Sequence, residues 1–307
     1  MTKSQDSSLS FLAGSAKTKD WIILAGQLNA RPEGSPDATR MYVFKSGQWG
    51  HFDLPGVLVR STCAKPGASP GAYFLGRRGQ VLHAAAGALN TETISNAGTG
   101  RGKLGYLNQI RLIGDKLYVC GFRGQVYRRD DAGWVHIDNG LLESPNSEAE
   151  IDLHSIDGTS HRDILTVGSE GMTFHFDGES WTRLDAPTER SLAWVRYVSP
   201  AESYICGRKG TLLRRVGGRW ENLTDPALAD DLWCVESYED RIYVASLRDV
   251  FVLTGNKLER TRAGATTPKP DAFRLDAKDG VLWSFGQRYL CFFDGQKWTY
   301  VKHPDNP

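Results

Sequence analysis

One stretch of this chain recurs throughout it. Tyr204–Leu223 reads YICGRKGTLLRRVGGRWENL: a short apolar run, a Gly-Arg-Lys-Gly turn, an alternating run, a Gly-Gly turn, and a Trp opening a last short run. Strand, turn, strand, hairpin, strand is the local structure this order dictates, because alternation at period two suits a pleated strand and Gly-Gly accepts the positive φ of a hairpin. Aligned on the residue after the apolar run, the copies fall at Gly26, Gly76, Gly121, Gly168, Gly207, Ser246 and Gly286. The successive spacings are 50, 45, 47, 39, 39 and 40 residues.

A period of about 40–50 residues is that of one four-stranded propeller blade. Seven anchors therefore predict an all-β fold, a seven-bladed β-propeller of four-stranded antiparallel blades. It forms a single β-propeller domain over 1-307, with blades at about 8-56, 57-97, 106-142, 151-187, 190-226, 230-264 and 270-303. The first strand of each blade lines the channel, and the second, continuously apolar, is the most buried. Asp177-Gly178, Gly217-Gly218, Gly255-Asn256 and Asp294-Gly295 mark hairpins. Trp134, Trp181, Trp220 and Trp298 follow hairpins and are expected to wedge between blades, whereas blade two lacks this Trp and blade six has Leu258 there. In blade two Thr91–Ile94 is the expected fourth strand. With Leu9–Ala13 as the first strand of blade one and Trp298–Lys302 as the last of blade seven, the favoured arrangement, the ring closes without exchanging a strand, by blade-to-blade packing alone; if Leu9–Ala13 instead pairs outside blade seven, hydrogen bonds lock the closure.

The pattern G-x-x-G, strand, D/G-G-x-W resembles the BNR-like and Ycf-type propellers, relatives of the Asp-box and WD-repeat families. The resemblance spans nearly the whole chain. The turns FDGESW and FDGQKW are shorter than a full Asp box, and no Trp-Asp dipeptide with a Gly-His partner occurs. The resemblance thus implies a fold more than an activity.

Charge is balanced, 37 basic against 36 acidic residues, so no global field draws the chain to nucleic acid or a membrane. No run approaches eighteen apolar residues, and the apolar patch near the N-terminus is too short for a secretory signal. A cytoplasmic location is the expectation. Cys63, Cys120, Cys206, Cys234 and Cys291 all fall in expected strands, none spaced CxxC, and read as small buried hydrophobes in a reducing compartment.

Motifs that would carry chemistry fail in context. GASPG places Ser69 before Pro70 between two strands, where a nucleophile elbow needs a strand-to-helix turn. GRGKLG, Gly100–Gly105, precedes a strand where a dinucleotide site needs a helix, and Leu104 stands where a phosphate loop needs Ser or Thr. The seven His residues are scattered without ligand spacing, so neither a metal nor another cofactor is expected. A sialidase-like glycosidase would need an arginine triad and an acid/base pair, but its Arg-Ile-Pro motif is missing.

The G-x-x-G turns carry more information. In a blade, the turn between the second and third strands shares a face with the link to the next blade. Arg77, Arg78, Phe122, Arg123, Arg208, Lys209, Arg248 and Arg288 should therefore circle one mouth of the ring, joined by Arg101 and Lys103 of a Gly-rich link. Glu143, Glu148 and Glu150, and Asp225, Asp230 and Asp231, lie on other links of that face. A two-signed face suits a folded protein better than a nucleic acid, which needs a continuous positive track. The expected partner is another protein on this face, with no catalytic residues involved. The resemblance to small stand-alone propellers implies an interaction or inhibitor module, of the kind of a bacterial immunity protein that neutralises a toxin. A glycosidase or lyase at the channel mouth, and a sensor of a small anion or sugar on the basic arc, are the alternatives.

Overall fold

The computed structural model describes residues 9–29, 34–67, 71–85, 87–141, 151–261 and 271–306. Among them, seven antiparallel sheets each consist of four strands consecutive in the chain. The innermost strands are Leu9–Thr18, Val59–Ala64, Leu107–Ile113, Leu153–Ser160, Leu192–Ser199, Leu232–Tyr238 and Arg274–Lys278. Each lies against the next, and the last against the first, so the ring is closed.

Burial follows the repeat. The second strands are largely apolar and buried, as in Ile22–Ala25, Leu117–Cys120 and Val281–Phe285. The outermost strand of blade two is exposed along its whole length. Seven apolar clusters form, each straddling one seam between neighbouring blades. A lone four-stranded sheet has no second layer to cover these faces, and each blade supplies it to its neighbour. The Trp residues after the hairpins sit in the seams towards the preceding blade, with Trp181 and Trp298 buried and Trp134 and Trp220 partly so. Trp181 is also tied by hydrogen bonds: its Nε1 donates to the Ile137 carbonyl at 2.7 Å and its backbone N to the Asn139 carbonyl at 2.8 Å.

Polar residues on the innermost strands join blades across the channel wall. Ser61 Oγ accepts from Ile110 N, Gln109 Oε1 from Ile156 N, Ser155 Oγ from Val195 N and Asp157 Oδ2 from Tyr197 N, at 2.6–3.2 Å. Buried Asp157 also meets Arg111 at 3.0 Å. These groups are therefore satisfied where burial alone would destabilise them.

Two sequence expectations need correction. The outer strand of blade two is Ala88–Thr93, because Gly87, at φ 83°, turns the chain at once, while Ile94 leaves the sheet to be buried. The ring closes without strand exchange, but packing is not its only closure. Phe11 N donates to the Gln287 carbonyl at 2.7 Å and Ala16 N to Asp276 at 2.9 Å. The tail after the last strand then folds over blade one. Asn306 bonds both the N–H and the carbonyl of Leu9, Asp305 accepts from the Tyr42 hydroxyl at 2.6 Å, and the Lys302 carbonyl accepts from Trp49 Nε1. His303, buried, packs edge-on against Phe11, Tyr42 and Trp49.

Candidate functional site

The G-x-x-G turns and the inter-blade links interlock on one face. Arg77 N donates to the Leu58 carbonyl, Phe122 N to Tyr106, Ser169 N to Asp152 and Arg208 N to Ser191, all at 2.9–3.0 Å. In blades three, four and five this contact requires the first glycine of the turn: a Cβ on Gly121 would lie 2.5 Å from the Tyr106 carbonyl oxygen, one on Gly168 1.9 Å from that of Asp152, and one on Gly207 2.3 Å from that of Ser191. Blade six solves the turn differently, with Ser246 Oγ accepting from the N–H groups of Arg248 and Asp249 at 3.1 Å. Within three turns the third residue is left-handed, Arg123 at φ 54°, Glu170 at 53° and Lys209 at 51°.

All ten sequence-selected residues occupy these turns and the Gly-rich link, but much of their charge is matched by acids on neighbouring links. Arg77 holds Asp37 in a two-pronged pair at 2.7 and 3.1 Å and lies over the Tyr106 ring at 4.8 Å. Arg78 reaches the same carboxylate at 3.4 Å. Arg208 pairs with Asp231 at 2.9 Å, whose other oxygen accepts from Lys209 N, also at 2.9 Å. Arg248 approaches Asp230 at 3.5 Å. The Lys103 ammonium donates to the Ser95 carbonyl. Arg101, Arg123 and Arg288 are exposed, and Phe122 lies partly buried at the mouth. Glu143, Glu148 and Glu150 fall outside the described residues. The exposed pair of Arg208 with Asp231 contributes under about 1 kcal/mol, whereas the two-pronged Arg77–Asp37 pair is partly buried, so the face stays two-signed.

Sequence reasoning missed the throat of the ring. There the innermost strands enclose a cavity of about 360 Å³ that opens on the turn face, lined among others by Arg60, Phe122, His154, Trp194, Arg208, Asp231, Trp233 and Arg274. These residues were unreadable as a group because they are spread over six blades. The signal available was the position just inside each anchor, on the strand preceding the apolar run. Asp231 is the one carboxylate among the described residues lining this cavity, and Arg208 already engages it. Two carboxylates facing a shared substrate, as a glycosidase needs, are not assembled there. Deeper in the wall, Asp157 and Glu236 are held by Arg111 and Arg196.

Other chemistry is equally constrained. Burial pushes the thiols of Cys120 and Cys291 up to about 12 and that of Cys234 to about 11, and raises those of Cys63 and Cys206. Such thiols stay protonated at neutral pH and are poor nucleophiles and ligands. Among the described residues, no group of three or more His, Cys, Asp or Glu side chains could hold a metal ion. The strand Leu107–Ile113 follows the Gly-rich link directly, with no helix to bind a dinucleotide, while Ser69 lies outside the described residues. No helix among the described residues is long and apolar enough to cross a membrane.

The fold is shared with the WD40 β-propeller domain of Doa1, at a TM-score of 0.70 and 11% identity over 99% of this chain and 96% of that one. It is also shared with YCF48 bound to D1 peptide, at a TM-score of 0.62 and 14% identity over 97% and 94% of the two chains. At such identities the likeness concerns architecture only. No protein-family model matches the sequence. The Immune protein Tsi7 of Pseudomonas aeruginosa, however, is 33% identical over 249 residues, 81% of each chain. Identity at that level, over a stretch long enough to cover most of the blades, shows common descent: this chain belongs to the family of the immune protein Tsi7.

Proposed function

We propose that this protein is an immunity protein, which binds a partner toxin with its turn face and neutralises it without catalysing a reaction. The observation that carries this reading is the 33% identity to an immune protein over 81% of the chain. The structure supports it physically. A closed ring holds the turns rigidly, so little conformational entropy is lost on docking. Arginine is a favoured interface anchor, and a two-signed face steers and orients a folded partner. The same mixture of signs disfavours nucleic acid and an anionic membrane, both of which need sustained positive charge. We place the protein in the cytoplasm, where a toxin would be met, and read its shortened D-G-x-x-W turns as degenerate relatives of the BNR-like and Asp-box repeats.

The test is affinity capture from the native cell to identify the toxin, followed by co-expression with it and a survival assay. Wild-type protein should co-purify with the toxin and restore growth. The triple substitution Arg78→Glu, Arg123→Glu and Arg208→Glu should weaken capture at least about a hundredfold, two or three favourable contacts becoming repulsive. Undiminished capture by the triple variant removes the turn face as the interface. Failure of the wild type to protect removes the immunity reading itself.

A further inference from the structure

The throat cavity has an unbalanced lining. Arg60, Arg208 and Arg274 face it together with a single carboxylate, Asp231, which Arg208 already engages. Arg60 and Arg274 form no ion pair among the described residues. The acids nearest Arg274 are committed elsewhere: Asp276 accepts from Ala16 N at 2.9 Å, and Glu236 accepts from Arg196 at 2.9 Å and from Ser237 N at 3.0 Å.

The hydrogen-bond ledger of the same wall is one-sided. Arg274 Nη1, Trp194 Nε1 and Trp233 Nε1, all donors, are buried without a partner, as is the Thr62 hydroxyl, which can also donate. Buried donors normally find acceptors, so donors without them define what is missing: an acceptor-only group, most favourably a charged one. The Arg274 guanidinium is stacked on the Trp194 ring at 4.0 Å, which fixes its plane and leaves its N–H edge free. Burial, with Arg111 nearby, lowers the Arg274 pKa, so an arriving anion would relieve an existing electrostatic cost. Leu12, Phe122, Leu232 and Phe273 add apolar surface to the lining, and the polar side chains of Ser61, Asn108, Gln109 and His154 beside them are engaged in hydrogen bonds of their own. The apolar surface can pack a short hydrocarbon stem.

We propose that the throat of the ring is a carboxylate-binding site, taking a carboxylate on a short aliphatic stem between Arg60, Arg274 and the indole N–H groups of Trp194 and Trp233. The stem can belong to a free organic acid or to a glutamate side chain of a bound protein, and the chemistry recognised is the same. The site does not rest on the immunity reading, and its test needs no partner protein.

The experiment follows the nine indole N–H signals of the whole protein by nitrogen-15 NMR, with Trp194→Phe and Trp233→Phe to assign two of them. Glutarate is titrated first, with uncharged glutaramide and inorganic phosphate as controls. Glutarate should move the Trp194 and Trp233 signals saturably and the others little. Arg60→Gln, at the exposed end of the cavity, should weaken the response about tenfold, the worth of one charge-assisted hydrogen bond. Arg274→Lys, which keeps the charge but not the fork, should weaken it while the other indole signals confirm the fold. A second titration uses N-acetylglutamate amide against N-acetylglutamine amide. Response to both acids shows that a protein side chain fits, and response to glutarate alone marks a small-molecule site. No response to either acid overturns the proposal, as does an equal response to glutaramide or phosphate, or one indifferent to Arg60→Gln.

Discussion

His303 makes ring closure dependent on pH. Its ring is 1% exposed and lies 5.1, 4.4 and 4.5 Å from the rings of Phe11, Tyr42 and Trp49. Nδ1 accepts from Asp305 N at 3.1 Å, so the tail is built around a neutral imidazole. Burial lowers its pKa from the ordinary 6.5 to about 4. In the unfolded chain the ring takes a proton near pH 6.5, whereas in the folded chain it resists until about pH 4. The contribution is therefore complete above pH 6.5 and is lost as pH falls through the window from 6.5 to 4. By pH 4.5 the loss is about 2.5 kcal/mol, a large part of an ordinary domain stability of about 5–15 kcal/mol.

His303→Phe isolates this term. The variant keeps an aromatic ring among the three others but cannot titrate. At pH 7.5 it loses the bond from Asp305 N and should be less stable by about 1 kcal/mol. At pH 4.5 it escapes the protonation penalty and should be more stable than wild type by about 1.5 kcal/mol. The two stability curves should cross near about pH 6. Urea denaturation followed by Trp fluorescence at several pH values reads this directly. Burial also lowers the pKa values of His83 and His136, but they are common to both proteins and cancel in the difference. A difference that stays constant between pH 7.5 and 4.5 would refute the reasoning, because it would mean that His303 titrates alike in the folded and unfolded chains.

Two further substitutions probe the turns. Gly168→Ala drives a methyl group into the Asp152 carbonyl oxygen, 1.9 Å away and part of the backbone, and should cost about 3 kcal/mol or more by thermal or chemical denaturation. Lys209→Gly removes a side chain from a residue at φ 51° and keeps the backbone bond to Asp231, so it should raise stability by about 0.5–1 kcal/mol. A lower melting temperature in the Lys209 variant would show that the side chain contributes packing that outweighs the backbone strain.

The ring was legible because its determinants are local and repeated. The glycines before each turn, the apolar second strands and the Trp after each hairpin recur at one period, and each records a steric or burial requirement met within about 40 residues of chain. What stayed hidden depends on contacts between non-equivalent positions, which no repeat pattern pairs. Asp37 and Arg77 are 40 residues apart, and Asp231 and Arg208 are 23 apart, so the arginines read as an open basic arc until the links folded over them. The tail His303–Asn306 carries no repeat signal, and its role arises from blade one, nearly 300 residues earlier. The throat is the extreme case, since its residues are spread over six blades and share a repeat position without sharing a residue type.

The backbone at the turns separates what folding requires from what a binding face would require. In blades three, four, five and seven the first glycine of the turn answers to a carbonyl of the adjoining link, and a Cβ there would force the backbone to move. The left-handed third position makes the opposite demand: glycine or asparagine would occupy it at least strain, yet blades three, four and five carry Arg123, Glu170 and Lys209. Each long charged side chain there costs about 1 kcal/mol relative to the easiest choice. Arg123 makes no ion pair among the described residues to offset it. On the proposed reading, that strain is tolerated because these side chains meet a partner. Lys209→Gly then has a second readout: a variant that melts higher and captures toxin more weakly ties the strained charge to binding, whereas one that melts higher and captures equally well removes Lys209 from the interface.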